Sequence, residues 1–124
     1  MDGLELYSKV EKYLDFSDEV RELHKYFLIQ ILENNITNVL DIGCGQGELL
    51  EIFSLNKIDG FGIDLSSSQI EFAKNRGVDA QCIDLCKLNK KFQCATATFD
   101  VVNYIPKKEL LNFFKCTYAI LEDD

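Results

Sequence analysis

The chain has 124 residues, of which 47% are apolar and 27% charged, a composition that suits one soluble globular domain and is too short for two. Its 21 acidic and 13 basic residues give a formal net charge of −8, which argues against non-specific binding to nucleic acid phosphates. No run is long and apolar enough for a transmembrane helix, and the charged N-terminus is unlike a secretory signal. We therefore expect a cytoplasmic protein with no membrane partner.

The cysteines are odd in number and form no C-x-x-C pair; they are Cys44, Cys82, Cys86, Cys94 and Cys116. This pattern argues against a disulfide framework and predicts reduced, mostly buried thiols. A zinc site needs four ligands, and His24 is the single histidine of the chain. We therefore expect no metal site.

The first predicted element is a helix that begins near Ser17 and ends at Asn34-Asn35. Short oxygen side chains at its start can accept the unpaired amides of a first turn. Its apolar residues recur at helical intervals between Val20 and Leu32, so one face should pack against a core. His24 lies in this helix and is predicted to be a surface or packing residue.

Short apolar strands then alternate with helices along the rest of the chain. Strands are predicted at 39–42, 61–64, 80–83 and 92–98, and helices at 48–54, 66–76 and 107–121. Pro106 suits the first turn of the last helix. This alternation predicts an α/β fold with a parallel sheet and helices on both faces.

A glycine-rich segment, Val39 to Glu48 (VLDIGCGQGE), lies where the first strand turns into a helix. Glycines allow a tight turn there and let a ligand approach the backbone closely. The following helix offers free amides and a partial positive charge to an anionic group. Because ligands of such sheets bind outside the carboxyl ends of the strands, this loop is the candidate binding site.

The spacing of this loop separates two classes of ligand. A dinucleotide site needs G-x-G-x-x-G, whereas Gly43, Gly45 and Gly47 form G-x-G-x-G and follow an acid, Asp41. A pyrophosphate gains nothing from that negative charge, but the ammonium of the methionine part of S-adenosylmethionine (SAM) tolerates it. Asp64, at the end of the second strand, suits ribose hydroxyls in either case. A dinucleotide-binding oxidoreductase and a plain strand–helix turn are the alternatives.

Three segments together resemble the class I SAM-dependent methyltransferases over residues 38–121. Val39 to Glu48 resembles motif I, Gly60 to Ser66 resembles the second motif with its ribose-binding acid, and Cys82 to Leu85 resembles the third. The resemblance implies a Rossmann-like parallel sheet, here truncated after about four strands. It also implies SAM as the cofactor and methyl transfer to an acceptor, for which the acidic charge favours a small molecule.

The resemblance assigns roles around the cofactor. The loop backbone contacts the methionine part, Asp41 helps to hold its ammonium through water, and the carbonyl of Thr98 can also receive that ammonium. Asp64 binds the ribose, while Leu65, Asp84 and the amide of Leu85 surround adenine; Asp84 can alternatively cap a loop. The predicted cofactor-binding residues are thus Asp41, Gly43, Cys44, Gly45, Gly47, Asp64, Leu65, Asp84, Leu85 and Thr98.

The fourth strand can open at Phe92-Gln93 or at Phe99-Asp100. The first register is favoured because the second runs into Pro106 too soon, although it puts Gln93 where the family usually has an acid. Residues 99–104 then form the loop at the ligand end. Asp100 and Tyr104 are the candidate catalytic residues, with Asp100 a candidate base, and Asn103 is a candidate acceptor-binding residue. Packing or capping roles are open for all three.

We expect a single domain in which about residues 1–36 form a helical cap segment and 37–124 the core. The family's sheet has seven strands and this sequence supplies four, which predicts a fragment whose fourth strand is an exposed edge. Such an edge favours self-association, so a homodimer through it is expected. A SAM-binding module without activity in this truncated form is the alternative to an active enzyme.

Overall fold

The computed structural model describes residues 17–98 and 105–122. Its helices are α1 (Ser17–Glu33), α2 (Glu48–Leu55), α3 (Ser67–Asn75) and α4 (Leu110–Ile120). Its strands are β1 (Asn38–Ile42), β2 (Asp59–Asp64), β3 (Ala80–Cys82) and β4 (Cys94–Ala97). Short 3-10 turns occupy Leu85–Lys87 and Lys107–Glu109, the latter directly after Pro106. None of the helices within these two ranges is long and apolar enough to span a membrane.

The four strands form one parallel sheet in the order β3-β2-β1-β4. Strand β1 lies between β2 and β4, with Asp41 opposite Gly62 on one side and Thr96 on the other. Because all strands run the same way, their carboxyl ends share one edge of the sheet. The predicted α/β fold with a parallel sheet is confirmed.

The sheet separates two buried apolar clusters. Along β1, Val39 belongs to the cluster covered by α1, α2 and α3, whereas Leu40 and Ile42 belong to the cluster on the other face. The second cluster includes Ile120 of α4 and Leu85 of the first 3-10 turn. Strands buried on both faces need apolar residues at nearly every position, as β1 has from Val39 to Ile42 except at Asp41. Helices on both faces were predicted, and the structure has them.

Helix α2 lies very close to β2 because two residues of that strand have no side chain. A Cβ added to Gly62 would meet the side chain of Leu50 and lie 2.7 Å from Sγ of Cys44. A Cβ added to Gly60 would lie 3.0 Å from Cδ2 of Leu50. The G-F-G pattern of β2 therefore sets the distance between the sheet and the helix that follows the glycine-rich loop.

The fourth strand confirms the register that opens at Phe92-Gln93. The side chain of Gln93 turns to the amino end of the sheet, where Oε1 accepts hydrogen bonds from the amides of Thr37 and Asn38 at 2.8 and 3.1 Å. Gln93 thus stands at the end of the sheet opposite the glycine-rich loop. The predicted ligand-end loop, 99–104, lies outside the described residues.

Strand β4 is an edge strand among the described residues, as predicted. Its N-terminal flank is nevertheless paired, because Phe92 and Leu121 form a parallel bridge. The amide of Phe92 donates to the carbonyl of Ile120, and the amide of Glu122 donates to the carbonyl of Phe92, both at 2.8 Å. Along Cys94–Ala97, the described parts of the chain place no strand on the outer side.

The prediction of reduced, mostly buried cysteines is wrong. Cys86 and Cys116 form a disulfide that joins the first 3-10 turn to α4, and Cys82 is exposed. The two bridged residues are 30 positions apart, and spacing alone does not reveal such a pair. Of the three free cysteines, Cys44 is buried.

Candidate cofactor site

The predicted cofactor residues gather at the carboxyl edge of the sheet. Asp41 is the penultimate residue of β1 and Asp64 the last residue of β2, while Asp84 follows β3 and Thr98 follows β4. Asp41, Asp64 and Thr98 are buried, whereas Asp84 is exposed. Each strand therefore delivers one predicted site residue to the same edge.

The glycine-rich loop crosses the end of β2 and is bonded to it. The amides of Gly43 and Cys44 both donate to the carbonyl of Ile63, at 2.8 and 3.0 Å. Gly43 and Gly45 have φ angles of 71° and 57°, in the left-handed region that side chains disfavour. The sequence pattern G-x-G-x-G is thus required by the path of the backbone, and the loop leads directly into α2.

Asp64 is held from both sides by backbone amides. Oδ2 accepts from the amide of Gly45 and Oδ1 accepts from the amide of Ser66, each at 2.9 Å. Ser66 in turn caps α3, because its hydroxyl accepts from the amide of Gln69. The carboxylate is fixed at the junction of the loop, β2 and α3.

Arg76, which was not predicted from the sequence as a site residue, contacts the glycine-rich loop from the end of α3. Its Nε donates to the carbonyl of Gln46 at 3.1 Å, and Nη1 lies 3.7 Å from Oε2 of Glu51 in α2. The ion pair is partly exposed and contributes little by itself. The hydrogen bond to the loop carbonyl is the part that bears on the site.

Asp41 is 2% exposed and accepts a hydrogen bond from Oγ1 of Thr96 at 2.8 Å. Burial raises the pKa of Asp41 to about 7, with the nearby Asp64 carboxylate acting in the same direction and the Thr96 hydroxyl acting against it. Thr96 was not among the predicted site residues. An acid in β1 and a hydroxyl in β4 would have suggested the pair only if the register of the two strands had been known.

Cys44, inside the glycine-rich loop, points its thiol at the space left by Gly62. Burial raises the pKa of this thiol, and the carboxylates of Asp41 and Asp64 raise it further. The side chain is therefore a neutral packing group at neutral pH. Its contribution to a cofactor site comes from the backbone.

The three residues predicted around adenine have different environments. The carboxylate of Asp84 accepts from the amide of Cys86 at 2.9 Å and caps the 3-10 turn, as the capping alternative expected. Leu85 is buried in the cluster on the α4 side, so only its backbone can face a ligand. The side chain of Leu65, directly after β2, is 64% exposed.

His24 is buried at 4% exposure, on the same face of α1 as Ile31. It is a packing residue, the second of the two roles predicted for it. Burial lowers the pKa of His24, and Glu48 in the first turn of α2 partly opposes that shift.

The predicted acceptor-side residues Asp100, Asn103 and Tyr104 lie outside the described residues. No group of three or more metal-ligating side chains is found within the described ranges.

A parallel α/β sheet whose glycine-rich loop is tied to an acid at the end of the second strand is found in nucleotide-cofactor folds, the class I methyltransferases among them. The family model described as "Methyltransferase domain" matches residues 39–124. The chain belongs to this family. The resemblance read from the three motifs is confirmed, and the comparisons support SAM as the cofactor.

Among curated proteins, the chain is 31% identical to an uncharacterised protein, MJ1252, of Methanocaldococcus jannaschii, with 97% of the chain and 47% of the relative aligned. A SAM-dependent methyltransferase of Clostridium acetobutylicum is similar in structure, with a TM-score of 0.73 and 26% identity over 96% of this chain and 52% of that one. The SAM-bound magnesium protoporphyrin IX methyltransferase of Synechocystis shares the fold at 17% identity and a TM-score of 0.77, over 87% of this chain and 57% of that one. The chain spans about half the length of these relatives.

Proposed function

We propose that this chain is the SAM-binding half of a methyltransferase that transfers a methyl group to a small-molecule acceptor. The observation that carries the proposal is the bond between Gly45 in the glycine-rich loop and Asp64 at the end of β2. This bond puts the loop that would receive the methionine part beside the acid that would receive the ribose. The family membership supports the same ligand.

The residues present fit SAM better than a dinucleotide. The loop follows a buried acid, Asp41, which favours a ligand with an ammonium group over one with a pyrophosphate. Carboxylates have about four acceptor positions, so Asp64 can add ribose hydroxyls to the amides that already orient it. We assign the backbone of Gly43, Cys44, Gly45 and Gly47 to the methionine part.

Adenine is assigned to the segment that follows β3 and to Leu65. The exposed side chain of Leu65 offers an apolar surface for one face of the ring. Asp84 would accept from the adenine amino group while it continues to cap the 3-10 turn, and the amide of Leu85 would donate to a ring nitrogen. The carbonyl of Thr98 is assigned to the ammonium, together with Asp41.

Bound SAM supplies a methyl group that is already activated as part of a sulfonium. The protein therefore has to align an acceptor with that methyl group and to exclude water. A base is needed only where the acceptor must lose a proton before it attacks. We assign Asp100 to that role, Tyr104 as a second catalytic residue and Asn103 to acceptor binding.

Isothermal titration tests the cofactor assignment. We expect the 124-residue chain to bind SAM and its demethylated product, S-adenosylhomocysteine (SAH), and to give no heat with NAD. Binding of NAD without a response to SAM or SAH would overturn the proposal and favour the oxidoreductase alternative. Binding of SAH without turnover of any small-molecule acceptor would favour a SAM-binding module without activity in this form.

We propose a cytoplasmic protein, a compartment whose reducing conditions act against the Cys86–Cys116 disulfide. We further propose a single domain with residues 1–36 as a cap over a core of 37–124, since α1 packs its Ile31 into the same cluster as α2.

We also propose a homodimer through the outer edge of β4. Cys94, Ala95 and Ala97 carry no charge and no proline that would protect this edge from pairing. Sedimentation velocity at several concentrations tests the proposal. A species that is monomeric at hundreds of micromolar would overturn it.

A further inference from the structure

Four residues lie opposite one another in neighbouring strands, near the edge of the sheet that carries the glycine-rich loop. Across the sheet they form a row of Ala80 in β3, Gly62 in β2, Asp41 in β1 and Thr96 in β4. Neighbours in such a row point to the same face of a parallel sheet. Asp41 therefore has a glycine on one side and a hydroxyl on the other. The hydroxyl of Thr96 donates to Oδ1 of Asp41 at 2.8 Å, and both side chains are buried.

This hydrogen bond directs one oxygen of the Asp41 carboxylate, Oδ1, towards β4 and so favours one rotation of the carboxylate plane. A hydrogen bond between a hydroxyl and a carboxylate favours the ionised form of the acid, and a buried carboxylate has few other sources of such stabilisation. The hydroxyl acts in this direction here, against burial and against Asp64.

The other titratable groups near Asp41 either disfavour its negative charge or interact with a different partner. Asp64 at the end of β2 repels it, and the buried thiol of Cys44 is neutral. On the helices that cover this face, His24 of α1 is coupled to Glu48 of α2, and the buried residues of α3 are uncharged. Among the described residues, Thr96 is thus the side chain whose effect on Asp41 favours the ionised form.

We propose that Thr96 is a positioning residue for the cofactor, whose hydroxyl orients Asp41 and favours the ionised form that receives the ammonium of SAM. The inference rests on the proposed function, because it needs SAM to occupy this edge of the sheet. It adds a residue from β4 to the site and assigns it an effect on the amino acid part of the ligand alone.

Two ligands separate this role from a structural one. SAH carries the amino acid part, whereas 5′-methylthioadenosine has the same adenosine and thioether without it. Thr96→Val removes the hydroxyl at nearly constant shape, Thr96→Ser keeps it, and Thr117→Val removes a comparable hydroxyl that bonds Phe113 within α4. Isothermal titration of both ligands from pH 5.5 to 8 is the measurement.

For the wild type we expect the affinity for SAH to fall as the pH drops below about 7, because the ligand must then bind with loss of a proton from Asp41. Affinity for 5′-methylthioadenosine should stay level. Thr96→Val should weaken SAH at pH 7 by at least about tenfold and move its pH midpoint upward. Thr96→Ser should restore both, and Thr117→Val should match the wild type.

Several results would overturn the inference. They are an unchanged SAH profile in Thr96→Val, equal losses for the two ligands, or a flat SAH profile in the wild type, which needs no variant to fold. These outcomes leave the proposed function intact if the wild type binds SAH. A wild type that binds neither ligand would instead overturn the proposed function, and the inference with it.

Discussion

The amide of Gly45 donates to Oδ2 of Asp64 at 2.9 Å, which joins the glycine-rich loop to the end of β2. The second oxygen of the same carboxylate holds the amide of Ser66 at the start of α3. The acid assigned to the ribose is therefore also a structural group. A substitution there affects the folded state before any ligand is added.

Asp64→Ala should weaken SAH binding by at least about tenfold, because charge-assisted hydrogen bonds to the ribose contribute roughly 1.5–3 kcal/mol each. It should also lower the free energy of unfolding of the ligand-free protein by about 2 kcal/mol, since the amides of Gly45 and Ser66 lose a buried acceptor. Titration calorimetry and urea unfolding measure the two effects. Asp64→Asn keeps one acceptor oxygen, so its SAH affinity and its free energy of unfolding should lie between those of the wild type and Asp64→Ala. An unchanged SAH affinity in Asp64→Ala would contradict the assignment of Asp64 to the ribose.

Asp41 should make the ligand-free protein less stable as the pH rises towards 8. Its folded pKa, about 7, lies above the ordinary value of 3.8, so its contribution to stability is fully present below pH 4 and is lost as the pH rises through 7. Asp41→Asn should therefore be more stable than the wild type at pH 8 by up to about 4 kcal/mol, at ~1.4 kcal/mol per pKa unit, and lose that advantage near pH 4. Urea unfolding of both proteins at several pH values measures this difference in the free energy of unfolding. A difference that does not change with pH would contradict the prediction.

Gly62→Ala should destabilise the protein by about 1–3 kcal/mol through overpacking, because the new methyl group would collide with Leu50 and Cys44. Gly77→Ala is the matched control. Gly77 has a φ angle of 87° and nothing within 4 Å of the added Cβ, so that variant costs only backbone strain, about 1–2 kcal/mol. Thermal unfolding compares them. Only Gly62→Ala should also weaken SAH binding, since Cys44 belongs to the loop.

Reduction of the Cys86–Cys116 disulfide should lower the free energy of unfolding by about 3.5 kcal/mol, from the entropy of closing a loop with a separation of 30 residues. Cys116→Ser should show the same loss and no further response to reductant. Cys82→Ser alters an exposed free thiol and should respond to reductant as the wild type does. Chemical unfolding with and without dithiothreitol is the test; a wild type indifferent to reductant would show that the bridge does not form in solution.

Much of the fold and the outline of the site can be predicted from local sequence. Glycines at 43 and 45 are needed because the backbone there has positive φ, and Asp64 ends a run of β2 residues that are apolar or glycine, so motif and element boundaries coincide. Helix α3 begins after Ser66 because that hydroxyl accepts an amide of the first turn. These features depend on residues that are near one another in sequence, so a local sequence pattern is enough to predict them.

Only the tertiary structure could decide which distant residues meet. Thr96 reaches Asp41 through the register of β4 against β1, Arg76 reaches the carbonyl of Gln46 from the end of α3, and Cys86 finds Cys116 across the face that α4 covers. Each contact spans 30 or more positions of chain. Hydrophobic periodicity predicts which face of an element is buried, but it carries no information about which polar side chain lies opposite. That is set by strand order, register and helix packing.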